Sequence, residues 1–262
     1  MRKIIFLKGI LLGVLLAFLL LALNALLVIK PKIDKYIATL PNLNTQTGAL
    51  LPKTETFRLN HIGEKIIYGV RLGKLSVGEA RFSNIADEQV NGRILSVMLV
   101  ETQLTRFRDT EKIYSDPRTL LPVRVERDIL NWFVREKITE EYDQDNFTVT
   151  IIKEKGGKTE KTVIKKDSPI HNAILLPYYV RGLPDLEIGK IIVANLPTRK
   201  LEIKLVSLED IAVPAGTFKA YHFQSTPRQI DIWITNDERR IPVKIQGTGL
   251  LGYSMAMKKY TF

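Results

Sequence analysis

From Phe57 onward apolar residues recur with a period of two rather than 3.6, which predicts half-buried strands. Ile66, Tyr68, Val70 and Leu72 fall on one side of the first, and Gly73-Lys74 turns the chain into residues 75–83. Asn91-Gly92 is the strongest hairpin signal and joins residues 80–90 to 93–103. Residues 93–103 are apolar on both faces, with Ile94, Met98 and Val100 against Leu95, Val97 and Leu99, so this strand should be covered twice. Asp116-Pro117 separates strand 112–114 from 121–129. Strands 134–142, 147–155 and 158–166 follow, joined by 143–146 and Gly156-Gly157, and their Lys and Glu content suits exposed edges.

One helix is expected next. Asp167 or Ser168 can cap it, Pro169 fits its first turn, and Gly182 and Pro184 stop it. Ile170, Ala173, Ile174 and Leu175 would give it an apolar face. Further strands are predicted at 190–194, 199–208, 217–225, 229–235, 243–246 and 252–262, with a turn at Val213-Pro214-Ala215-Gly216. About a dozen short strands and one helix predict a mostly β fold. The expected form is an antiparallel barrel, or a strongly curved half-barrel with one covering helix, with a sandwich as the alternative. No linker interrupts residues 57–262, so they form one domain.

Residues 9–29 contain no Lys, Arg, Asp or Glu, a length that spans a hydrocarbon core of about 30 Å. The competing reading is a cleavable export signal with Arg2, Lys3 and Lys8 as its charged start. The run exceeds the usual length of about 7–15 residues for such a signal, and Leu23-x-Ala25 is a poor cleavage site. The expectation is therefore a cytoplasmic tail over 1–8, a transmembrane helix over 9–29, a tether over 30–56 broken by Pro31, Pro41 and Pro52, and an exported domain over 57–262. That topology places a single-pass protein in an inner membrane with its β domain in the periplasm. The absence of cysteine excludes lipid attachment through one.

The net charge of +11 narrows when apportioned, because residues 1–35 carry +5 of it. Elsewhere the signs interleave, as in Arg124-Val125-Glu126-Arg127-Asp128, with no basic stripe of the kind that binds nucleic acid. Gly247-Thr248-Gly249-Leu250-Leu251-Gly252 spells G-x-G-x-x-G, but only ten residues follow and they read as a strand, so no dinucleotide or other cofactor is expected. His61, His171 and His222 show no metal-ligand spacing, and no G-x-S-x-G elbow exists. No catalytic or metal-ligating residue is assigned.

Gly63-Glu64-Lys65-Ile66-Ile67-Tyr68, followed by Leu75 and Gly78-Glu79-Ala80, resembles the opening of the bacterial envelope family called domain of unknown function 3108. Val213-Pro214-Ala215-Gly216-Thr217-Phe218 and the stretch from Ile232-Trp233 through Asp237, Arg240 and Pro242 are similar to its ending, and Tyr178, Tyr179 and Arg181 to its middle. The resemblance covers roughly residues 62–260. It implies an exported, mostly β protein of Gram-negative bacteria with no established activity, and it transfers no catalytic residue.

Two functional classes stand open. One is a non-enzymatic binding module for a lipid or other amphiphile beside the membrane. The other is a structural or assembly protein acting on envelope proteins. Candidate contacts are Tyr178, Tyr179 and Arg181, which either line the mouth of the curved sheet or plug it, and Trp233, Asp237 and Arg240, which either offer a bidentate arginine to an anion or form a charged turn.

Overall fold

The computed structural model describes residues 61–248 and 252–262. Fourteen strands follow in chain order: β1 (Lys65–Leu72), β2 (Leu75–Val90), β3 (Arg93–Leu104), β4 (Phe107–Ser115), β5 (Pro122–Asn131), β6 (Val134–Asp143), β7 (Thr148–Lys155) and β8 (Lys158–Lys165), then β9 (Ile191–Leu196), β10 (Arg199–Val213), β11 (Gly216–Thr226), β12 (Ile230–Thr235), β13 (Pro242–Gly247) and β14 (Tyr253–Thr261). One short helix, α1 (Leu176–Arg181), stands between β8 and β9. All strands join one antiparallel sheet in the order β8-β7-β6-β5-β4-β3-β2-β1-β14-β13-β12-β11-β10-β9. The first and last strands, β1 and β14, pair at the middle of the sheet, where Lys65 lies opposite Thr261. Its free edges are the mid-chain strands β8 and β9.

The mostly β reading therefore holds, but the barrel is not closed. β8 and β9 do not pair, and the segment that connects them passes between the edges. His171 N–H donates to Asn195 O (2.7 Å) on β9, while Ile170 N–H donates to Gln144 Oε1 (2.9 Å) in the β6–β7 turn. These bonds also explain why the helix is shorter than its sequence signals. Ile170 and His171 spend backbone groups on the β6–β7 turn and on β9, and the Asn172 carboxamide oxygen accepts from Ile174 N–H (2.8 Å). The helix then begins at Leu176 with no side-chain cap. The transmembrane segment expected at 9–29 lies outside the described residues, and among those described no helix is long and apolar enough to cross a membrane.

Burial follows the pleat. Ile66, Tyr68, Phe82, Met98, Val100 and Ile113 line the concave face and pack with Ile170, Leu175 and Tyr178 of the connection. Leu176 and Val180 pack instead with Leu201, Ile203, Leu205, Phe223, Ile232 and Ile234. The helix thus fills the inside of the β9–β14 half. The expected two-sided burial of β3 is present: Leu95 and Val97 cluster with Tyr114 away from Met98 and Val100. The β10–β11 hairpin reaches over β14, where Ala215 N–H donates to Met257 O (3.0 Å). β12 is accordingly buried on both faces, with Trp233 only 6% exposed opposite Ile232 and Ile234. At Gly78 (φ +156°) a Cβ would meet the backbone of Gln103 and Leu104, so close contact of β2 with β3 demands glycine there.

Candidate functional site

The residues singled out in the closing sequence stretch are drawn together around the end of α1. Asp237 caps the β12–β13 turn by accepting from the Thr235 hydroxyl (2.6 Å), Arg240 N–H (3.0 Å) and Arg239 Nη2 (2.9 Å). Burial acts to raise its pKa, but these donors win and hold it below the ordinary aspartate value. The turn presents Arg240 (φ +47°) to the helix C-terminus, where its guanidinium donates to the carbonyls of Arg181 (3.2 Å), Leu183 and Pro184 (3.3 Å). Such donation satisfies carbonyls that a helix end leaves open. Pro242 O accepts from the Tyr68 hydroxyl (2.7 Å) inside the core.

Arg181 is itself buried, with a fork onto Glu64: Nη1 to Oε1 at 2.8 Å and Nη2 to Oε2 at 2.7 Å. Its Nε donates to Arg239 O (2.8 Å). Glu64 also accepts from Asn84 Nδ2 (3.2 Å) and the Tyr260 hydroxyl (3.3 Å), so both charges are saturated. His61 lies beside the pair, and burial together with the Arg181 charge lowers its pKa. Tyr178 is buried in the core, and desolvation raises its pKa far above the usual phenol range. The void beside it measures about 30 Å³, room for a water and no acyl chain. Tyr179 is half-buried with its ring edge-on to His171. Tyr178 and Arg181 are thus inside the molecule rather than at a mouth.

Trp233 sits in a separate cluster beneath the β10–β11 hairpin. Its indole N–H donates to Glu209 Oε1 (2.8 Å), its ring stacks on His222 with centroids 4.2 Å apart, and Lys244 Nζ lies 4.5 Å from it. The indole bond, ahead of burial, decides the lowered pKa of Glu209. This group is a cross-strand rung, since His222 pairs with Trp233 and Trp233 with Lys244. It is separate from the Arg181 cluster.

A third polar group occupies the concave face of β4–β6. Arg127 is held by Asp109 through Nε to Oδ1 (2.9 Å) and a second bond from Nη2. Burial raises Glu111 to a pKa of about 7 against the opposing Arg127 charge. Glu140, also raised by burial, accepts from the Tyr142 hydroxyl. The charges interlock within the chain.

The groups that face outward unpaired lie elsewhere, at the adjoining tips of two hairpins. β5 and β6 are joined by Trp132-Phe133 alone, and β3 and β4 by Thr105-Arg106. Trp132 N–H donates to Arg106 O (2.9 Å) and the Arg106 guanidinium lies 4.1 Å over the indole, which locks the tips together. Phe133 is 94% exposed, and Leu130 and Val134 flank it in the open. Leu104, Phe107, Leu130, Trp132, Phe133 and Arg106 line a groove of about 450 Å³ here, with Arg108 at its side. Among the described residues no carboxylate comes within 4.0 Å of Arg106 or Arg108, whereas the neighbouring Arg135 is neutralised by Asp128 (2.8 Å). Sequence reasoning missed this site.

Of the Gly-x-Gly-x-x-Gly stretch, Gly247 ends β13 and Gly252 precedes β14, and the Tyr253 ring packs where a Gly247 Cβ would stand.

The fold and the motif roles agree with family membership. The chain belongs to the family described as "Protein of unknown function (DUF3108)", whose model matches residues 66–258. No curated protein matches it. Among solved structures it is similar to a β-barrel-like protein of domain of unknown function DUF1849 from Brucella abortus, at 7% identity and TM-score 0.45, covering 76% of this chain and 97% of that one. It is also similar to a candidate exported protein with a YmcC-like fold from Bacteroides fragilis (11% identity, TM-score 0.29, coverage 80% and 100%). A candidate lipoprotein from Parabacteroides distasonis gives 9% identity and TM-score 0.28, with coverage of 80% and 100%.

Proposed function

We propose that the protein is a non-enzymatic binding module of the bacterial envelope, anchored in the inner membrane by residues 9–29 with its β domain in the periplasm. Its ligand is an amphiphile with an anionic head, taken at the hairpin tips and not inside the sheet. The observation that carries this reading is the groove of about 450 Å³ where exposed Trp132 and Phe133 meet Arg106 and Arg108, two cations without a carboxylate partner among the described residues. Large apolar area next to unpaired positive charge fits an acyl chain and its phosphate or carboxylate together. The interior supports the same conclusion from the other side, because α1 and Tyr178 occupy the concave volume that a carrier would keep open.

Titration of the full chain with a short-chain anionic phospholipid, below its critical micelle concentration, tests the reading. Trp132 reports directly, since the other tryptophan, Trp233, is buried. The expected result is a saturable change in tryptophan emission that is absent in Phe133→Ser. A flat titration contradicts the reading.

The second class, contact with envelope proteins, is favoured by β9. This edge strand carries no charge over Ile191–Leu196 and exposes Ile191 and Val193, whereas the other edge, β8, is studded with Lys and Glu. His171 occupies this edge at Asn195, and the stretch before it, with Ile191 and Val193, is a template for an added strand.

A further inference from the structure

We infer that the Trp132-Phe133 tip is a second membrane contact, which inserts into the interface of an anionic bilayer while Arg106 and Arg108 bind its headgroup phosphates. The inference rests on the reading of the tip as an amphiphile site and names the source of that amphiphile: the leaflet itself.

Three features favour a leaflet over a single captured molecule. The first is direction. Phe133 is 94% exposed at the apex of a two-residue turn, so at the rim of the groove it turns nearly all of its ring to the outside. Aromatic side chains at such an apex match the interfacial zone of a bilayer, which takes both their apolar rings and the polar backbone beneath.

The second is the backbone. Trp132 has φ +57°, a region that Asn or Gly enters cheaply and a bulky L-residue does not. Within the chain the indole meets the Arg106 guanidinium, and 37% of the residue is still left exposed. The strain is retained for what the ring meets outside the protein. The Trp132 N–H bond to Arg106 O and the stacked guanidinium hold it ready.

The third is charge. Arg106 and Arg108 stand on the β3–β4 tip alongside, and the adjacent Arg135–Asp128 pair contributes no net charge. A positive collar around an aromatic apex complements an anionic leaflet, and each such arginine strengthens surface binding about fivefold. Reach is no obstacle. The 27 residues of segment 30–56 have a contour length of up to roughly 90 Å.

The test uses the full chain reconstituted into vesicles whose acyl chains are brominated, either pure phosphatidylcholine or phosphatidylcholine with phosphatidylglycerol. The Trp132 component of the emission is obtained by difference from Trp132→Phe, whose circular dichroism confirms that it folds. In anionic vesicles bromine should quench this component and shield it from acrylamide. Phe133→Ser should abolish the quenching, and Arg106→Gln and Arg108→Gln should each lower the inserted-to-free ratio about fivefold. Should these variants fail to fold, the dependence of wild-type quenching on phosphatidylglycerol decides the matter. Trp132 left open to acrylamide and unquenched in anionic vesicles overturns the inference. If that result accompanies saturable binding of the monomeric phospholipid, the binding-module reading survives without it. Quenching in vesicles with no monomer binding supports the inference and removes the single-molecule site.

Discussion

Arg181 and Glu64 stand 117 positions apart in the chain, yet their side chains meet as a bidentate pair at 2.7 and 2.8 Å with both buried. The pair fixes the helix to the residue that immediately precedes β1. Breaking one partner leaves an uncompensated charge inside the protein, so Arg181→Met or Glu64→Leu alone should cost about 3–5 kcal/mol in urea unfolding. The double variant should recover most of that loss. Additive single losses in this cycle would show that the two residues act separately.

Glu111 makes stability fall as pH rises. Its pKa is about 7 in the folded protein against 4.5 as the ordinary value, so between these limits the native state holds more protons than the unfolded one. Stability is then lost across pH 4.5 to 7, by up to about 3 kcal/mol for a shift of this size. Glu111→Gln keeps a neutral side chain in place. It should flatten the profile and raise the melting temperature at pH 8 while leaving it little changed at pH 4.5.

His171 has the opposite sign. Burial lowers its pKa, and its Nδ1 accepts the Asn195 N–H (3.2 Å), a bond that requires the neutral ring. The unfolded chain therefore takes up a proton first, and stability declines as pH falls below the ordinary value of 6.5. His171→Asn retains an acceptor near Nδ1 and removes the titration. Thermal melts from pH 7 to 5 should then lose part of their slope, and an unchanged slope would contradict this assignment.

The tip trades stability for contact. Trp132→Gly removes a strained φ of +57° and should hold or raise stability by up to about 1 kcal/mol, while amphiphile binding disappears. Phe133→Ser should alter unfolding by less than about 0.5 kcal/mol, because the ring packs on nothing within the chain. A large loss of stability in either variant would mean that the tip is structural.

Gly78→Ala makes the contrasting case. Its Cβ would strike Gln103 O and Leu104 Cα, backbone atoms that cannot rotate aside. A loss of about 1–3 kcal/mol is expected in the same unfolding assay, with no specific effect on binding once folded.

Local chemistry made much of the sheet legible. Asn91-Gly92, Asp143–Asn146 and Gly156-Gly157 announced their turns, and alternation gave the strands beside them. The tips were silent, because Thr105-Arg106 and Trp132-Phe133 contain no conventional turn residue and fell in gaps between assigned strands. The helix was overextended because its Pro169 start matched local rules, while the deciding bonds came from Asn195 and Gln144, distant in sequence. Arg181, Asp237 and Arg240 were visible as a motif, but their joint grip on the helix end depends on a turn and a helix 56 to 59 residues apart. The partner of Arg181, Glu64, stood within the Gly63–Tyr68 motif, but nothing local tied it to an arginine 117 positions away.

Photocrosslinking in intact cells bears most directly on where this protein meets its ligand. A photoactivatable residue at position 133 and another at interior position 243 would be irradiated and their adducts identified by mass spectrometry. Lipid-sized adducts at 133 with none at 243 are predicted. Lipid adducts at 243, or only protein adducts at 133, would contradict the account.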